Sequence, residues 1–222
     1  MTDVKRSYHA PVRTEQAALT RRRVLQAAAD AFTDRGWAGT TIADVARAAG
    51  ITAQGVHLSV GAKPALLIGA VQHAVAGDQP ELALIEREPF RHSYAADADP
   101  AQRAAAFAAG TTEVYQRAGR LLLVLAQSAA IDSDLAALWE VARAARLADC
   151  RRLVDLTGRR RHPRQQRLTD LLFVQSGPGV YSDLVGDRGW THTAYRSWLT
   201  STIEDLLGPQ QSSRRTHDQP QR

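Results

Sequence analysis

One cysteine, one methionine and an aromatic content of only 6% in 222 residues leave several kinds of chemistry without their raw material. Cys150 has no second thiol to pair with, so an internal disulfide is excluded, and its neighbours complete no metal motif. The seven histidines do not help, since no His-x-x-x-His pair and no His/carboxylate cluster on one turn occurs. Ser176 in Gln-Ser-Gly-Pro-Gly lacks the glycine two positions before it that a nucleophile elbow needs, and the other glycine-rich stretches have neither dinucleotide nor P-loop spacing. Nothing local therefore argues for an enzyme, a metal or a cofactor. The apolar run Leu121–Leu125 is too short to span a bilayer, and Met1–Ala18 is too polar for a secretory leader, so no membrane partner and a cytoplasmic location are expected.

Hydrophobic residues make up 44% of the chain, enough for a real core. Alanine and leucine dominate and no useful stretch alternates with period two, which predicts an all-α protein. The charge of +5 is unevenly spread: residues 1–75 hold nine basic and five acidic side chains, so the remaining two-thirds is nearly neutral. A basic module ahead of a neutral body suits a phosphate-binding head, although a solvated basic surface gives the same count.

Thr40–Lys63 is the most structured stretch of pattern. Ile42, Val45, Ala46 and Ala49 recur at helical spacing; Thr41 with Asp44 can form a capping box, and Gly50 supplies the positive φ of a helix end. Thr52 can cap a second short helix carrying Gln54, Val56, His57 and Val60. Two small helices joined through a glycine are how a helix-turn-helix offers its second helix to the major groove. In that geometry Thr40, Thr41 and Thr52 are candidate phosphate contacts. Gln54 can pair in bidentate fashion with adenine, and His57 can donate to a base or a phosphate. Ala53, Gly55 and Leu58 share the helix and are counted with them. No arginine lies between Ile51 and Val60, so modest discrimination per half-site is expected and pairing of two heads would be needed for useful affinity.

With an upstream helix over Arg22–Arg35, then Gly36-Trp37, the run Thr40-Thr41-Ile42-Ala43-Asp44-Val45-Ala46-Arg47-Ala48-Ala49-Gly50-Ile51 and the closing Lys63-Pro64-Ala65-Leu66-Leu67, the chain resembles the TetR family of transcriptional regulators. It departs where the family usually shows an aromatic run, having His57-Leu58-Ser59-Val60, and has Ala62 where a serine commonly caps the next helix. The resemblance implies an N-terminal three-helix helix-turn-helix DNA-binding head (residues 18–78) on a larger C-terminal helical bundle for ligand binding and dimerisation (79–208). It further implies a homodimer on palindromic operator DNA, a small-molecule effector, repression released by that effector, and a phosphate contact at Lys63. The alternative is a helical ligand-carrier or interaction protein that keeps the fold but has lost operator binding.

Residues 1–17 read as a flexible basic arm interrupted by Pro11, and 209–222 as a disordered polar tail. Between them the body reads as helices over 101–118, 119–129, 133–157, 164–175 and from Thr191 to Leu207. In the third, Leu135, Leu138, Val141, Ala145, Ala148, Leu153 and Leu156 fall near one face. Arg159-Arg160-Arg161 reads as a basic hinge. The resemblance puts a mostly apolar pocket on segments carrying Phe107, Tyr115, Leu122, Trp139 and Arg143. It puts the dimer interface on two C-terminal helices carrying Leu171, Leu172, Phe173, Tyr195, Trp198 and Ile203. Core packing is the competing role for each aromatic.

Overall fold

The computed structural model describes residues 10–77, 81–156 and 165–207, and among them there are helices and turns but no strand. Residues 1–9 of the expected arm, the expected basic hinge Arg159–Arg161 and the expected tail 209–222 lie outside the described residues.

Helix α1 spans Ala10–Gly39 and is broken at Gly36, whose φ of 67° is open to glycine. It starts twelve residues before the expected Arg22, inside the stretch read as an arm. Pro11 does not interrupt it, because a proline in the first helical turn removes an N–H that has no intrahelical partner. Arg13–Leu19 is exposed, whereas Val24, Leu25, Ala28 and Phe32 are buried. Helix α2 (Ile42–Ala49) begins on the expected capping box: Thr41 Oγ1 accepts from Asp44 N, and the Asp44 carboxylate accepts from Thr41 N. Gly50 ends it with φ 66°. Helix α3 (Ala53–Ser59) is capped by Thr52, whose Oγ1 accepts from Gly55 N at 3.0 Å. Helix α4 (Lys63–Ala76) follows with Pro64 in its first turn and, as Ala62 dictates, no side-chain cap.

Between α4 and the body the described residues include a 3₁₀ turn, Leu84–Glu86, and the short helix α5, Phe90–Ser93. Arg87 closes the C-terminus of α4 by donating to the carbonyls of Val75 and Ala76, and Arg117 Nε donates to Ala74 O at 3.1 Å. Helix α6 then runs unbroken from Pro100 to Ser128, capped by Asp99. The expected break at Gly119 is absent. A Cβ there would stand 3.2 Å from the Tyr181 ring, and one at Gly110 would stand 2.7 Å from the Phe90 ring. Both glycines are close-approach sites inside a helix rather than helix ends.

Helix α7 (Ser133–Val154) is capped by Asp132 and buries the two ends of the expected stripe, Leu135 and Leu153, but not its middle. Val141, Ala145 and Ala148 face outward, with Val141 65% exposed, while Leu135, Cys150 and Leu153 are fully buried. The inward row Leu135, Trp139, Ala142, Arg146, Cys150 and Leu153 satisfies helical spacing equally well but contains an arginine. Helix α8 (Gln165–Gln175), the single turn α9 (Pro178–Tyr181), a π-helical turn (Ser182–Asp187) and α10 (His192–Leu207) complete the body.

A contiguous apolar core runs from Val24 to Leu207, so α1–α4 and the body share one packed interior. In the body it centres on aromatic rings: Tyr181 lies 5.5 Å from Tyr115 and 4.9 Å from Tyr195, and Tyr115 Oη donates to Ser176 O at 2.7 Å. No single helix among the described residues is long and apolar enough to cross a membrane. Helices α3 and α4 reach that length only together, across a 60° bend, and Leu66, Leu67, Ala70 and Val71 of α4 are buried in the core.

Candidate nucleic-acid interface

Helix α3 is held by one buried anchor and by arginines from α1. Val56 is fully buried, fixing the helix's inner face. Arg21 Nη1 donates to Ser59 O at 2.6 Å and Arg23 Nη2 to Ala49 O at 2.7 Å. Each guanidinium satisfies a carbonyl at a helix C-terminus, where the backbone dipole is negative. Two of the three consecutive arginines Arg21-Arg22-Arg23 therefore act as braces for α2 and α3. No local signal in the sequence marks this, because the partner carbonyls lie 38 and 26 residues away.

With its inner side fixed, α3 turns Ala53, Gln54, His57 and Leu58 to solvent, with Gly55 half-exposed. This outward surface holds an amide, an imidazole and an isobutyl group, and no fixed charge. Thr41 and Thr52 are also exposed, each as a helix cap. The Thr41 hydroxyl and the Arg47 guanidinium beside it hold the Asp44 carboxyl below the usual carboxylate range. Lys63 lies half-buried with Nζ 4.5 Å from the Trp37 ring centroid, and burial pushes its pKa down.

Thr40 is a correction. It is 1% exposed, and its hydroxyl lies 2.9 Å from both the Ala31 and Gly36 carbonyls, clasping the end of α1 rather than facing a phosphate.

In the body, Tyr115, Leu122, Trp139 and Arg143 come together around one cleft of about 190 Å³ between α6 and α7. Phe107 does not join them: it is 3% exposed and packs edge-on against Phe90 at 5.8 Å, because α6 turns that position toward α5. Sequence reasoning missed Val75 of α4, Leu84 and Asp149, which also line the cleft. Burial raises the Asp149 carboxyl to about 6. Arg146, also in the wall, stacks on Phe173 with its guanidinium carbon 3.6 Å from the ring centroid and donates to the Phe173 carbonyl. The neighbouring Cys150 is buried, and desolvation drives its thiol up to about 11, which favours the neutral thiol at neutral pH. Among the described residues no group of three His, Cys, Asp or Glu side chains could hold a metal.

Of the six residues assigned to a dimer interface, Leu172, Tyr195 and Ile203 are fully buried within the chain and are core. They lie on the inner faces of α8 and α10. The outer faces carry Leu171 (38% exposed), Val174 (62% exposed) and the half-buried Trp198; Phe173 lies under Arg146.

The comparisons with known proteins agree with this geometry. Residues 24–68, from α1 into α4, match the sequence model for bacterial regulatory proteins of the tetR family. No curated protein matches the chain. Among solved structures, a transcriptional regulator from Rhodococcus sp. Rha1 superposes with a TM-score of 0.65 at 18% identity, covering 84% of this chain and 95% of its own. A second Rhodococcus sp. protein, assigned to the TetR-family transcriptional regulators, gives 0.62 at 18% identity, covering 85% and 98%. At such identity these two likenesses show the fold, which extends over the body as well as the head. The match over residues 24–68 is thus to the tetR family, and the two superpositions show that the chain as a whole shares the fold of those regulators.

Proposed function

We propose that this regulator is a homodimeric repressor that grips palindromic operator DNA through two copies of α3 and lets go when a small, mostly apolar effector occupies the cleft of the body. The observation that carries the reading is the outward surface of α3, where Gln54, His57 and Leu58 are exposed while Val56 anchors the helix from behind. Side chains so placed at a helix that protrudes from a braced head can reach base edges, and Thr41, Thr52 and Lys63 flank them as phosphate contacts.

The link to the effector runs through α4. Val75, near the end of this last head helix, and Leu84, on the turn after it, form part of the cleft wall. An occupant that pushes on Val75 moves α4, and α4 carries the head with it. The apolar lining from Val75, Leu84, Val114, Leu122 and Trp139 suits a hydrophobic effector body. Pairing of two copies is assigned to the outer faces of α8 and α10, through Leu171, Val174 and Trp198. Acting on a bacterial chromosome, the protein works in the cytoplasm.

The test is a gel-shift titration on the DNA flanking its own gene, repeated at several salt concentrations. A shift whose affinity falls steeply with salt supports the regulator; no shift even at low salt favours the carrier reading, for which the non-aromatic His57-Leu58-Ser59-Val60 run is the supporting observation.

A further inference from the structure

Leu58 is the most exposed large apolar side chain among the described residues, at 82%, and it stands on the outward surface of α3. An isobutyl group on a monomer's surface needs no explanation by itself. Its company does. Leu58 sits four residues after Gln54, so the two side chains stack along one face of the helix, separated by about 6 Å along its axis. Base pairs repeat about every 3.4 Å, so the two residues face steps one to two base pairs apart. The stretch Ile51–Ala62 has no lysine or arginine, which removes the usual bidentate reading of guanine. What remains is the His57 imidazole, an amide suited to adenine, and an aliphatic group whose one specific partner in the major groove is the 5-methyl group of thymine.

We propose that Leu58 is a specificity-determining residue, packing its isobutyl group against a thymine methyl one to two base pairs from the adenine read by Gln54, so that each half-site is centred on A·T pairs. This rests on the reading of α3 as the DNA-recognition helix. The apolar contact replaces the charge that α3 lacks, and Lys63, at the start of α4, supplies attraction to the backbone.

The experiment removes single methyl groups from DNA. A duplex is enriched from a randomised library with the full-length protein, and each thymine in it is replaced in turn by deoxyuridine. Affinity is read by fluorescence anisotropy for the wild type, Leu58→Ala and Leu58→Met. The wild type should lose about fourfold in affinity at one thymine per half-site, the worth of one buried methyl. Leu58→Ala should bind thymine and deoxyuridine duplexes equally, and Leu58→Met should keep the preference. A wild type indifferent to every replacement, or an alanine variant that keeps the preference, overturns the assignment of Leu58 while leaving DNA binding intact. Failure to enrich any duplex at low salt overturns the DNA reading and this inference with it. A change in sedimentation of Leu58→Ala without DNA would place Leu58 against a second copy of the chain instead, and would equally overturn it.

Discussion

The hydroxyl of Thr40 donates back across nine residues to the carbonyl of Ala31, 2.9 Å away, and sits the same distance from the carbonyl of Gly36. It ties the broken end of α1 to the start of the helix-turn-helix. Thr40→Val keeps the shape and removes the donor, leaving carbonyls short of a partner in a site that is 1% exposed. Denaturant unfolding should show a loss of about 1–2 kcal/mol. DNA affinity of the folded variant should be unchanged. A loss of affinity with no loss of stability would restore Thr40 to the interface.

Gln54 and Lys63 should separate under mutation. Gln54→Ala should relax preference at one position of each half-site, at a cost of about 1–3 kcal/mol for the preferred base. Lys63→Ala should weaken binding to all duplexes alike and reduce the slope of log affinity against log salt by about one. It should also cost roughly 0.5–1 kcal/mol of stability, since the ammonium rests over Trp37. Competition binding across base-substituted duplexes distinguishes the two; identical profiles would remove both roles.

Gly110→Ala reverses the usual sign of a helix substitution. Alanine is favoured over glycine in a helix interior by about 1 kcal/mol. Here the added Cβ would stand 2.7 Å from the Phe90 ring, which is itself held edge-on to Phe107. Overpacking should win and destabilise the protein by about 1–3 kcal/mol in chemical denaturation. Phe90→Leu in the same background should recover part of the loss.

Asp149 should give the cleft a pH signature. Burial lifts its folded pKa from 3.8 to about 6, the Arg152 charge opposing this in part. The protonated form is the one that folding favours, so the contribution to stability is fully present below about pH 4 and lost as pH rises through 6. Asp149→Asn, which has no charge to desolvate, should gain stability relative to the wild type as pH goes from 4 to 7. Thermal melts of both proteins over that range check it, and a constant difference would show that the carboxyl is solvated.

The head was legible because its signals are local. Thr41 with Asp44, Gly50 and Thr52 each specify their structure within three residues, and each forms as its chemistry requires. The body was legible as helices but not as faces. In α7 two rows of residues meet helical spacing between the buried Leu135 and Leu153, and the wholly apolar one, through Val141 and Ala148, is exposed there. The buried row carries Arg146, whose place inside depends on a phenylalanine ring and carbonyl on α8, far away in sequence. Gly119 looked like a break because a glycine in a helix usually weakens it, and only the tyrosine packed on it explains why it stays. The start of α1 is silent in the sequence because the exposed stretch Arg13–Leu19 has no apolar stripe to announce a helix.

The central claim is that two braced heads present α3 to one face of a duplex. Hydroxyl-radical footprinting of the wild-type protein on an enriched duplex tests it most directly. The account predicts two protected backbone segments related by the palindrome, their centres separated by a whole number of turns of about 10.5 base pairs. Protection of a single segment, or of two segments on opposite faces of the DNA, would contradict it.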